Sequence, residues 1–160
     1  MKSRQFVDST LLYTRGGKGG NGSTSFRREK FVPKGGPDGG DGGRGGNVII
    51  VGDEDVDSLV GVFFNSQRFA ENGGSGAGRG MHGRNGKDLL VPVPLGTVVK
   101  NADTDEILGE ITHHGEQLLV AHGGRGGWGN LHWKRADHQV PMEFTPGLDG
   151  EDPTLRLDLS

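Results

Sequence analysis

A chain of 160 residues is long enough for one packed domain and short for two independent cores. Its 32 glycines and 7 prolines are too few for collagen, and the absence of cysteine excludes disulfides and thiolate metal sites. The net charge of −3 is segregated: stretches 14–46, 72–86 and 121–138 hold 12 of the 18 Lys and Arg but only 4 of the 21 acids, Glu29, Asp38, Asp41 and Asp137, a net of +8 against −11 elsewhere. Such segregation predicts one side facing a polyanion and another that is solvated and acidic, with nucleic acid the natural partner. No apolar run reaches the ~18 residues of a membrane span and the N-terminus lacks a signal-peptide core, so a soluble cytoplasmic monomer without membrane contact is expected.

In chain order, the first strand is predicted from Phe6 to Tyr13. Gly16, Gly19 and Gly22 then begin a spacing of three that continues through Gly36, Gly39, Gly42 and Gly45, and through Gly40, Gly43 and Gly46. Three is the period of polyproline II, and glycine at each third position leaves one face bare enough for backbones to pack together. Asn47–Val51 predicts the second strand, while Asp57–Phe64 suits either a helical turn or a strand. Gly80, Gly83 and Gly86 repeat the spacing before a strand at Leu89–Val93, where Pro92 and Pro94 require a sheet edge or rim. Strands at Thr97–Lys100 and Glu106–Ile111 flank a turn at Asn101–Asp105, and Leu118–Ala121 leads to Gly123, Gly126 and Gly129. Leu155–Leu159 is the last strand.

The fold these elements predict is mainly β: a small barrel or sandwich carrying glycine-rich fingers at about 14–46, 72–86 and 121–150. Gly36, Gly39, Gly42, Gly45, Gly83 and Gly126 are its expected packing positions. The fingers carry the cations. Arg27, Arg28, Lys30 and Lys34 mark the first tip, interleaved with Phe26 and Phe31. Arg79, His82 and Arg84 mark the middle of the second stretch, and Arg125, Trp128, His132, Trp133, Lys134 and Arg135 the third. Arg44 and Arg125 lie in Gly-Gly-Arg-Gly-Gly elements of the kind found in RNA-binding segments. Cations neutralise phosphates and aromatic faces stack on unpaired bases. Phe26 and Phe31 suit a packed finger base equally well, and Arg27 and Arg28 also suit bracing of carbonyls that polyproline II leaves unpaired. His113, His114, His122, His132 and His138 have no cysteine or suitably spaced carboxylate beside them, so no metal site is expected. No catalytic constellation is expected either.

The run from Phe26 through Arg27-Arg28-Glu29-Lys30-Phe31-Val32-Pro33-Lys34 to Gly46 resembles the signature of the N-terminal glycine-rich domain of Obg GTPases. Gly16–Gly22, His82–Gly86, Pro94–Val99 and Gly123–Asn130 follow in the order used by that family, so the resemblance spans nearly the whole chain. It implies a β-barrel from which six left-handed type II helices protrude. The function it implies is docking on the large ribosomal subunit, through ribosomal RNA near the peptidyl-transferase region, in assembly and stress control. Arg27, Arg28, Lys30, Lys34, Arg84 and Arg125 are then the implied contacts. Trp128 and Trp133 depart from the family pattern, and both stacking on bases and packing on a neighbouring finger suit them. No G-x-x-x-x-G-K-[ST] loop occurs, since Gly17-Lys18 is followed by Gly19. The chain is therefore expected not to be an enzyme, with GTP and magnesium needed only by a G domain beyond Ser160. The alternative reading is a regulatory domain that contacts its own G domain or a protein partner. Organellar relatives leave a second location open.

Overall fold

The computed structural model describes residues 7–24, 38–130 and 145–160. Among the described residues, eight strands and one short helix run in the order β1 (Ser9–Arg15), β2 (Val48–Gly52), α1 (Val60–Phe64), β3 (Gln67–Phe69), β4 (Leu89–Val93), β5 (Thr97–Asn101), β6 (Ile107–Ile111), β7 (Gln117–Ala121) and β8 (Thr154–Leu159). They form a five-stranded sheet, β3-β1-β8-β5-β6, and a three-stranded sheet, β4-β2-β7. Alternation of apolar residues decides which faces meet: Val48 and Ile50 of β2, Val91 and Val93 of β4, Leu12 of β1 and Leu155 and Leu157 of β8 all point into one shared core.

The sheets do not close, so the architecture is a sandwich and the barrel expectation is corrected. An edge remains open at β4, where Pro92 pairs with Val51 in register. Proline lacks the N–H an inner strand would need, which fixes β4 at the border as its sequence predicts. β3 has no counterpart among the predicted strands, because its three residues carry no apolar alternation and it adds to β1 in parallel. The ambiguous segment before it resolves as helix α1. Among the described residues, no helix is long and apolar enough to cross a membrane.

The glycine tracts form six extended struts: 16–24, 38–46, 71–77, 81–87, 122–130 and 145–151, numbered 1 to 6 in chain order. Their hydrogen bonds go to other struts and recur at every third residue. Gly17, Gly20 and Ser23 donate to the carbonyls of Gly46, Gly43 and Gly40. Gly124, Gly127 and Asn130 donate to Gly17, Gly20 and Ser23. Three residues per turn, no bonds within the strut and negative φ throughout identify polyproline II.

The bonding pattern places the struts in two layers of three, ordered 4-2-5 and 3-1-6. Within the first layer Gly83 donates to Asp41 and Gly42 to Gly127; within the second Gly73 donates to Lys18 and Gly19 to Leu148. Between layers, Gly43 donates to Gly74, Gly74 to Arg84 and Leu148 to Arg125. These orders are those of the strands the struts extend, β4-β2-β7 and β3-β1-β8. Each layer therefore continues one sheet of the sandwich. Where the strands bear side chains the sheets stand about 10 Å apart. Where glycine removes them, the same two layers close to hydrogen-bonding distance.

Candidate nucleic-acid interface

Side chains on a three-fold helix fall into three rows. On strut 2 a Cβ at Gly42 would overlap the carbonyl of Gly20 and one at Gly43 the carbonyl of Arg84, so two rows are packed against neighbours. The third row, which carries Asp41 and Arg44, points away from the block. On strut 5 Gly123 and Gly126 face strut 2, and Gly124 and Gly127 face strut 6. This leaves His122, Arg125 and Trp128 exposed in one row. On strut 4 Gly83 and Gly86 face strut 3, while His82 and Asn85 lean on strut 2. Arg84 is left on the border of the block with Met81 and Lys87, all exposed.

The structure thus brings Arg44, Arg125 and Trp128 onto the outer face of layer 4-2-5 and sets Arg84 at its margin. Arg125 and Trp128, one turn apart, stand about 9 Å from each other along the strut. Trp128 is 53% exposed, enough to offer a ring face. Arg79 lies at the middle of its stretch, in the turn joining struts 3 and 4, in the left-handed region at φ 62°, beside Gly80 at φ 66°. His82 positions the backbone of strut 2, because its Nδ1 accepts the Asp41 N–H at 2.9 Å. Arg27, Arg28, Lys30, Lys34, Gly36, Lys134 and Arg135 lie outside the described residues, as do Phe26, Phe31, His132, Trp133 and His138. The residues that flank those segments meet at one end of the block: Asn130 donates to Ser23, Gly22 to Thr145 and Gly80 to Asp38.

Several residues with structural roles here escape a reading of the sequence. Asn85 accepts the N–H of Arg44, Asn47 that of Gly123 and Asp41 that of Gly129, each at 2.8–2.9 Å. Fully buried Asn130 accepts the N–H of Gly39 at 2.8 Å. The signal that could find them is an Asn or Asp at three-residue spacing from another across two tracts. At the start of strut 5, His122 donates its main-chain N–H to Glu151 Oε1 at 2.8 Å, and its ring Nδ1 lies 2.6 Å from the same oxygen. Those two bonds, the main-chain one foremost, hold the Glu151 carboxyl below the usual carboxylate range.

The opposite face, on layer 3-1-6, differs in charge. A groove of about 340 Å³ there is lined by Arg15 and Lys18 but also by Asp149 and Asp152. Its cations are offset, which suits a polyanion less well than the Arg44–Arg125 face. Among the described residues no group of three or more His, Asp or Glu is placed to hold a metal ion. Residues 7–160 match the family model described as GTP1/OBG.

Proposed function

The chain belongs to the GTP1/OBG family, and from that membership we propose that it is the RNA-docking module of an Obg-type GTPase acting on the large ribosomal subunit. The observation that carries this reading is the face of layer 4-2-5. There Arg44 and Arg125 are exposed, have no ion-pair partner among the described residues, and stand on a backbone lattice that fixes their spacing. The module contributes position rather than chemistry, and nucleotide hydrolysis belongs to the family's separate G domain.

The protein is expected to pellet with large ribosomal subunits at low salt and to release as salt rises, since bound phosphates exchange for counterions. Reversal of charge at Arg27, Arg28 and Lys34 together should weaken pelleting at least tenfold. Undiminished co-sedimentation of that triple variant would sink the reading.

A second reading has one observation in its favour. Leu90, Ile49 and Leu119 align across the outer face of the three-stranded sheet, with Leu90 48% and Leu119 40% exposed. This apolar row on the acidic half of the molecule suits a protein surface with an apolar centre and a basic rim. Binding to a protein that persists in high salt without RNA would favour it.

A further inference from the structure

Between struts 2 and 5 one backbone donor lacks the acceptor that its equivalents have. Strut 5 turns three N–H groups toward the outward row of strut 2. Gly123 donates to Asn47 Oδ1 at 2.8 Å and Gly129 to Asp41 Oδ1 at 2.9 Å. Gly126 lies midway and faces Arg44 in the same register. A guanidinium has five donors and no acceptor, so it cannot complete the series. Gly126 N–H has no acceptor among the described residues, and Arg44 and Arg125 have no ion-pair partner among them.

The lattice holds this donor still. Gly127 N–H is bonded to Gly20 and its carbonyl receives Gly42 N–H, while Gly124 receives Gly45 N–H on the other side. Asn85 fixes the Arg44 backbone from strut 4. The nearest acid of the row, Asp41, is one turn away, and its Oδ1 is engaged by Gly129. A rigid N–H flanked by two arginines is complementary to an oxyanion, which supplies the missing acceptor and two charge-assisted bonds.

We propose that Gly126 N–H, Arg44 and Arg125 form a phosphate-binding point in the groove between struts 2 and 5, occupied in the docked state by a backbone phosphate of RNA. This inference rests on the docking reading for its macromolecular ligand, but its chemistry is that of any phosphate oxyanion. Asn or Asp at position 44 would close the series and give up the site, whereas Arg keeps it open.

The test uses the isotope-labelled chain and follows the Gly126 amide by NMR during titration with inorganic phosphate and, separately, with a short single-stranded RNA. In phosphate-free buffer, Gly126 should exchange its proton faster than Gly123 and Gly129, and both titrants should move its resonance. Arg44→Asn should protect Gly126 from exchange, leave the melting temperature at or above that of the parent, and abolish the shifts. Arg44→Met removes the charge without supplying an acceptor. Gly126 should then stay fast-exchanging and respond to phosphate about tenfold more weakly. Movement by phosphate with no RNA binding at all leaves the site standing as one for free anion and overturns the docking reading. RNA binding with Gly126 unmoved overturns this inference and leaves docking intact. A Gly126 amide as protected as its two neighbours in the parent protein also overturns it.

Discussion

Asn130 shows how much rests on single side chains in a lattice made of backbone. It is fully buried and its Oδ1 receives the N–H of Gly39, the position where strut 5 can no longer offer a carbonyl to strut 2. Asn47 and Asp41 do the same for Gly123 and Gly129, so polar side chains complete the network at three positions where the main chain leaves a donor over, and Gly126 is the exception. Replacing Asn130 by Ala strands a buried N–H, and the expected loss is about 1–3 kcal/mol in denaturant unfolding. An unchanged midpoint would show that Gly39 finds another acceptor. None of this is legible in the sequence, because an Asn among glycines reads as a turn residue until the partner tract is known. The outward position of Arg44 and Arg125 is legible, since period three and glycine on both other rows leave nowhere else for them.

The struts hold together for a reason that differs from ordinary glycine permissiveness. Only Gly80, Gly96 and Gly115 among the described glycines have positive φ, so elsewhere the requirement is space. At Gly42 a Cβ would come within 1.9 Å of the carbonyl oxygen of Gly20, a backbone atom that cannot rotate away. Gly42→Ala is therefore expected to cost about 3 kcal/mol or more, at the upper end of overpacking effects. Gly61 in α1 is the control. Nothing lies within 4 Å of a Cβ there, and Ala should be neutral or gain up to about 1 kcal/mol by helix propensity. Equal unfolding midpoints for both variants would refute the packed-strut account. The same spacing argument locates most of the strands to within a residue or two at each end, because strand and strut differ in period and glycine marks the change. β3 is invisible to it, since three polar-rich residues acquire strand geometry only from β1 beside them.

At the scale of the molecule, the two layers of struts and the two sheets are one two-layer object whose spacing changes where side chains stop. Each excursion leaves one sheet and returns to the other, so the block cannot form strut by strut. Struts 1 and 2 are bonded to all but one of the others, whereas struts 4 and 6 lie at opposite corners. Amide exchange should follow that order. Gly17, Gly20 and Gly43 should be protected to the level of global unfolding, and Gly83 of strut 4 should exchange at least tenfold faster through local opening. Uniform protection across the block would mean that it opens only as a whole. The mainly β class, the polyproline II period and the concentration of cations on the glycine tracts are all readable from residue order, because periodicity and charge are local properties of a chain. That the sheets stay open, which strut lies beside which, and that Arg44 meets Gly126 emerge with the folded chain. Those outcomes depend on register between segments as far apart in the chain as Gly19 and Leu148, which no local pattern encodes.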